Sequence, residues 1–345
     1  MTVGTAGEEA ILRRLAARFP VRSAGPVVLG IGDDGALLNG VGDLLQVVTT
    51  DLLLAGTHFH LDWTPPDLLG QKALAVNLSD LEAMGAAPQA FFLDLGLPGD
   101  WPLADLDCFL DGLARAAARA GDLQLAGGDT CRAAALHVGV TLLGSVHPRR
   151  VIRRNGGQAG DVLAVSGELG AAGAGLILLQ QGWRLEPPLA VPPAGGETRF
   201  DPAHAAGALA AHLDPQVHAG LGQRLAGLVS AGMDLSDGLA ADLPRLCRAS
   251  GCGARVHLEK LPVAACAAAL DDSLGLMPGT TALSGGEDYR LLVSVPPSTW
   301  NDALARDTGL TAIGRLSEPG GGLILVSEGQ ERPWPAPSFD HFQDP

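Results

Sequence analysis

The sequence has few positive charges and no cysteine pairs of the kind that build metal or disulfide frameworks. Its 345 residues carry 23 Lys and Arg against 38 Asp and Glu, a formal charge of −15, so no general basic surface exists to meet a phosphate backbone and nucleic-acid binding is not expected. Its two lysines, Lys72 and Lys260, lie in no GxxxxGK[ST] loop, and no HRD-type kinase loop occurs. The familiar nucleotide folds are thereby disfavoured. Five cysteines, Cys108, Cys131, Cys247, Cys252 and Cys266, form no CxxC pair, which points to buried thiols in a reducing, cytoplasmic setting. Apolar runs such as 161–180 are interrupted by Gly, Asp and Glu before reaching the roughly 18–20 residues a membrane span needs. The N-terminal stretch is an amphipathic helical pattern without an apolar signal core, so neither a membrane span nor secretion is expected.

The chain does have apolar residues in abundance, 47% of the total, enough for two cores rather than one. The patterning predicts a helix over Glu8–Phe19, strands at 27–31 and 44–49, a helix over 68–84 and a strand at "AFFLDLGLP". A helix over 103–120, a strand "LQLAGG" ending at Asp129 and strands near 136–144 and 161–165 follow. Beyond residue 170 come a helix, a Pro/Gly/Ala-rich surface loop at 187–207, a helix from 219 to 230, the "MDLSDGL" segment, a helix from Leu239, a strand at 254–258 and the alternating strand "YRLLVSV". The order is mixed rather than a regular βαβ alternation, which predicts an α+β fold. The expected domains are 1–148 and 149–345.

Five apolar segments carry small residues with acids: "GIGDDGALL", "TTDLLLAG", "NLSDLEAMG", "LAGGDT" and "DLSDGL". One aspartate at a strand end is an ordinary turn or cap residue. Several converging on one edge stay ionised only with cations among them. Carboxylates and the hydroxyls or carbonyls of Thr49 and Thr50, without a cysteine or histidine cluster, suit Mg²⁺. Glycine pairs such as Gly127-Gly128 and Gly285-Gly286 let backbone N–H groups approach phosphate. A polyphosphate guest is expected, with "TTD" as a metal ledge at a strand end.

The ordered set "GIGDDGALL", "TTDLLLAGTHF", "KALAVNLSDLEAMGA", "LAGGDT", "DLSDGL", "SGGEDY" and the terminal "FDHF" closely resembles the thiamine-monophosphate kinase family of the aminoimidazole-ribonucleotide synthetase superfamily. The match runs from about residue 28 to residue 342. It implies a homodimer in which the N-terminal mixed sheets of two subunits form a β-barrel, each flanked by an α+β C-terminal domain packed by helices. The implied reaction is in-line transfer of the γ-phosphoryl of ATP to thiamine monophosphate, assisted by several Mg²⁺ ions. The matching metal positions are Asp34, Thr49, Thr50, Asp51, Asp80, Asp129, Asp234 and Asp237, with Asp33 the alternative to Asp34. Gly128, Asp129, Arg154 and Ser236 match ATP contacts, with Arg149, Arg150 and Arg153 the alternatives to Arg154, and His58, Glu287 and Trp334 match contacts to the thiamine substrate, with Asp288 the alternative to Glu287. The sibling selenophosphate synthetases and hydrogenase-maturation proteins would need a reactive N-terminal or C-terminal cysteine that this chain lacks.

Overall fold

The computed structural model describes residues 8–22, 25–194 and 200–336. After helix α1 (Glu8–Arg18), the N-terminal half is built on strands β1 (Val27–Leu29), β2 (Ala36–Asn39) and β3 (Leu45–Leu54), helix α2 (Pro66–Ala83), strand β4 (Ala87–Leu97), helix α3 (Leu103–Arg119), and strands β5 (Gln124–Arg132) and β6 (His137–Val146). The sheet order is β1-β2-β3-β6-β4-β5, antiparallel except for the parallel β4/β5 pair. Apolar side chains at alternate positions of β3 and β6, such as Val47, Leu53, Val138 and Leu142, meet Leu69, Leu74, Phe109 and Leu113 of α2 and α3 in one core. The opposite face of the sheet is bare among the described residues, with Leu52 56% and Phe92 36% exposed.

The C-terminal half contains strand β7 (Val162–Ser166), helix α4 (Ala171–Gln180), the hairpin β8 (Arg184–Glu186) and β9 (Leu189–Val191), helices α5 (Pro202–Leu213) and α6 (Leu221–Leu225), and strand β10 (Ala231–Leu235). Helix α7 (Leu239–Ser250), strand β11 (Gly253–His257), helices α8 (Ala265–Ser273) and α9 (Thr280–Ser284), strand β12 (Arg290–Val295), helix α10 (Asp302–Thr308) and strands β13 (Leu310–Ser317), β14 (Leu323–Ser327) and β15 (Gln330–Pro333) complete it. The second sheet runs β10-β12-β7-β13-β11-β14-β15. Two mixed sheets with their own helices make the fold α+β in two domains.

Helix α2 explains how the halves lock. Proline at its start matches the fixed φ of a first helical turn. Fourteen of its 18 residues are buried, on all sides rather than along one stripe, because the helix lies between the first sheet and the C-terminal domain. Its crossing with α3 is close enough that a Cβ on Gly112 would lie 1.9 Å from the Asp67 carbonyl oxygen. At its C-terminal end Glu82 accepts hydrogen bonds from the N–H groups of Gly220 (2.5 Å) and Gly222 (2.7 Å), so a carboxylate of one domain caps α6 of the other.

Four segments differ from the sequence expectation. Strand β3 continues to Leu54, because it pairs with β6 residue by residue from Leu45↔Val146 to Leu54↔His137; "TTD" is therefore mid-strand. Strand β5 likewise runs through Asp129 to Arg132. The expected 219–230 helix is only α6, cut off where Gly227 takes a φ of +87° and the chain turns into β10. Part of the expected 187–207 loop is structured, by strand β9 and the start of α5. The five cysteines are unpaired as expected, but only Cys247 and Cys266 are buried, whereas Cys108 and Cys131 are exposed. No helix among the described residues is long and apolar enough to cross a membrane.

Candidate active site

The bend between β1 and β2 delivers two adjacent acids with different tasks. Asp33 accepts the backbone N–H of Arg154 (3.2 Å). Asp34 accepts the Arg154 guanidinium, Nε lying 2.9 Å from Oδ1. Its other oxygen, Oδ2, is buried with no hydrogen-bond partner among the described residues. Arg154 reaches it from the connection between the domains.

Asp80 comes from the last turn of α2 and accepts the hydroxyl of Thr49 on β3. Asp234 closes the group from β10 of the other domain, its Oδ2 accepting from Ser79 Oγ at 2.7 Å. One carboxylate oxygen from each of Asp34, Asp80 and Asp234 lies within 4.8 Å of the others. Asp51 stands on the same face of β3 as Thr49, by the two-residue period of a strand.

Electrostatics make this an unstable arrangement for protein alone. Burial, then the neighbouring charges of Asp234, Asp51 and Asp34, pushes Asp80 well above the usual carboxylate range. Burial and Asp34 do the same to Asp234, and burial raises Asp51 to about 6. Arg154 is the cation bonded within the trio, and its own charge is held firmly because, against the cost of its burial, Asp34, Asp234 and Asp33 together prevail. The donor set is all oxygen, and Asp34 Oδ2 lacks a partner, so the residues fit a hard divalent cation such as Mg²⁺. A soft thiolate or imidazole site is absent there.

The "DLSDGL" and "SGGED" loops lie against each other. The Ser236 carbonyl accepts from the Glu287 N–H at 2.6 Å, and a Cβ on Gly238 would lie 2.7 Å from the Gly285 carbonyl oxygen. Asp237 is engaged by Arg245, which also holds buried Asp242 (2.7 Å). Asp288 is not the cleft-facing acid: both its oxygens accept N–H groups at the start of α4, Gly170 at 2.6 Å and Ala172 at 3.2 Å. Glu287 faces Lys72 instead, at 2.8 Å.

Other expected residues lie apart from the trio. Thr50 points to the bare face of the sheet, where its hydroxyl meets that of Thr141 (3.0 Å). The register Asp51↔Val140↔Leu93↔Gly128 puts Asp129 one step further along, on that same bare face as Leu52. Asp129 donates its N–H to Asp94 Oδ1 (2.7 Å). Gly128 is obligatory: φ is +150°, and a Cβ there would lie 1.8 Å from the Leu93 carbonyl oxygen. His58 Nδ1 accepts the Leu54 N–H (3.0 Å) in the loop after β3. The Trp334 indole N–H donates to the Ala240 carbonyl at 2.9 Å, and the ring packs on the C-terminal core. The "FDHF" motif at 339–342 lies outside the described residues.

Sequence reading missed Lys72, His212 and Tyr289. Lys72 lies in no phosphate loop, and the one signal it offers is that it is the single basic residue of helix α2. Tyr289, the single tyrosine, has a φ of +48°, and burial followed by the charges of Glu287, Asp51 and Asp234 raises its phenol far above the usual range.

Residues 32–146 match the family described as AIR synthase related protein, N-terminal domain, and residues 158–330 match AIR synthase related protein, C-terminal domain. The chain is 40% identical to thiamine-monophosphate kinase of Salmonella typhimurium, covering 92% of this chain and 93% of that one. It is 38% identical to thiamine-monophosphate kinase of Mycobacterium tuberculosis, covering 87% and 84%. The solved structure "AaThiL complexed with AMPPCP and TMP" superposes with a TM-score of 0.81 at 29% identity over 96% of both chains.

Proposed function

We propose, from the premise that this chain belongs to the thiamine-monophosphate kinase family of the AIR synthase-related proteins, that it phosphorylates thiamine monophosphate with ATP, giving thiamine diphosphate and ADP. The observation that carries the reading is the meeting of Asp34, Asp80 and Asp234, from both domains, around an unpartnered buried oxygen.

The acceptor is a phosphate oxygen already anionic at neutral pH, so the site needs no strong general base. Its difficulty is bringing two polyanions together in line. Asp34, Asp80 and Asp234, with Thr49 and Asp51 beside them, would hold Mg²⁺, Asp237 would extend the set on the C-terminal side, and Thr50 and Asp129 would act from the bare face. Bound Mg²⁺ ions supply charge neutralisation and orientation of the phosphates. Gly128, Asp129, Arg154 and the Ser236 loop are the proposed ATP contacts. Gly128 offers a backbone that phosphate can approach closely, and Arg154 offers a fixed cation. His58, Glu287 and Trp334 are the proposed contacts to the thiamine moiety. The setting is cytoplasmic.

The test is to incubate the purified protein with Mg-ATP and thiamine monophosphate, with an aminoimidazole-ribonucleotide precursor as control, and to identify products by mass. Thiamine diphosphate formed stoichiometrically with ADP is the expected result. Product from the control alone would reassign the chain to the sibling synthetases.

The bare face supports a homodimer. Leu52 and Phe92 make it apolar, and every residue of edge strand β5 is exposed, a combination that soluble proteins usually cover. Two such sheets facing one another would form the closed barrel. Light scattering should give the mass of two chains, and Leu52→Asp should shift it to one; a monomeric wild type would remove the barrel.

A further inference from the structure

Lys72 and Glu287 belong to different domains and form a pair that neither phosphate chemistry nor core packing explains. Lys72 is almost wholly buried, its side chain 1% exposed, and its ammonium donates to Glu287 Oε2 at 2.8 Å and to the His212 carbonyl at 3.2 Å. With two protons committed inside the protein, Lys72 is a poor candidate for gripping phosphate. The ring of His212, itself 5% exposed, brings Nδ1 to 2.9 Å from the same Oε2. Burial and then Lys72 push this imidazole down towards its neutral form, although Glu287 opposes the shift.

Glu287 is held from the backbone side as well. Its φ is +64°, a left-handed conformation costly for a residue with a side chain. The geometry persists because its N–H is tied to Ser236 and the next residue, Asp288, clamps the start of α4. Oε2 is therefore occupied, whereas Oε1 has no hydrogen bond from the described residues and the side chain remains 24% exposed. One carboxylate oxygen is fixed and the other is offered.

Resting on the kinase reading above, we infer that Lys72 and His212 are positioning residues that fix Glu287 as a directed acceptor for the amine-bearing, cationic heterocycles of the substrate. Because Lys72 offsets the charge of Glu287, the trio contributes direction more than net charge. Its effect falls on recognition of the thiamine rings, and ATP does not sense it.

The experiment compares wild type, Lys72→Met, Glu287→Gln and the double variant, by steady-state kinetics and by calorimetric titration with thiamine, which lacks phosphate and so reads the ring contacts alone. Lys72→Met should raise KM for thiamine monophosphate roughly tenfold, the size expected for a misaligned charge-assisted hydrogen bond, with KM for ATP held within about twofold. Thiamine binding should weaken in parallel. Lys72→Met strands a buried carboxylate and can impair folding, so the double variant, which replaces the ion pair by neutral groups, supplies the second reading. Its KM should match that of Glu287→Gln alone, the signature of residues acting as one unit. An unchanged KM for thiamine monophosphate in folded Lys72→Met, an additive cycle, or a rise in KM for ATP instead overturns the inference. Wild-type protein that fails to turn over thiamine monophosphate overturns the kinase reading itself, which separates the two failures.

Discussion

Asp80→Asn should lower turnover of thiamine monophosphate at least ~10³-fold, roughly 4 kcal/mol of transition-state stabilisation, and yet give a metal-free protein more heat-stable than its parent. The two effects have opposite signs for one physical reason. Asp80 is surrounded by the charges of Asp234, Asp51 and Asp34 and is buried, so its own ionisation is opposed at every turn. Asparagine keeps an oxygen that can accept the Thr49 hydroxyl but removes the charge, relieving repulsion where no cation is present. The same removal takes an anionic oxygen from the group best placed to hold Mg²⁺. Kinetics with saturating Mg-ATP and thermal melts in chelator check both halves. Wild-type turnover would take Asp80 out of ion binding, and a lower melting point in chelator would make it a stabilising hydrogen-bond partner instead.

The response to pH and Mg²⁺ should carry the second large effect. Burial followed by Asp34 raises Asp33 to about 6, burial raises Asp51 to about 6, and Asp80 and Asp234 lie higher than their ordinary 3.8. Between 3.8 and the raised values the native protein binds more protons than the unfolded chain, so its stability falls as pH rises. The contribution is complete below 3.8 and is lost as pH climbs through about 6 and beyond. Glu287 has the reverse sign: burial disfavours its charge, but Lys72 and His212 prevail and hold the carboxyl far below 4.5, so its stabilisation is present above 4.5 and is lost on further acidification. In chelator the melting point should therefore peak at about pH 4 and decline towards pH 8. A ligand at a hundred times its dissociation constant adds about 2.7 kcal/mol, and Mg²⁺ must compete with protons for these carboxylates. Its stabilisation should thus be several-fold larger at pH 8 than at pH 5.5. Equal shifts at both pH values would mean that the ion binds somewhere other than the buried acids.

The acid-bearing segments were legible because each carries its own local signal, an apolar run broken by small residues and aspartate. Helix α2 was legible too, although its even burial blurred the usual one-sided pattern, since a helix covered on all sides needs few polar positions. Strand ends were less readable: Thr49 to Asp51 look like a terminus in isolation, but β6 continues the ladder past them to Leu54. Lys72 was hidden because its partner lies 215 residues away, and no local pattern reports a salt bridge across domains. Nothing in the stretch beyond residue 297 announced α10, β13, β14 and β15, whose short segments gain their shape by joining an existing sheet.

Local chemistry in the sequence thus determined the class of fold, the oxygen-rich character of the site and, through ordered motifs, the family. Tertiary structure decided which acids share one cation-sized space and which do not. Alternation along β3 turns Thr49 and Asp51 one way and Thr50 the other, and the packing of α2 between two domains brings Asp80 to Asp34 and Asp234. Those distances depend on pairing register and on how one helix is wedged between two sheets, and both are properties of contacts between residues far apart in the chain.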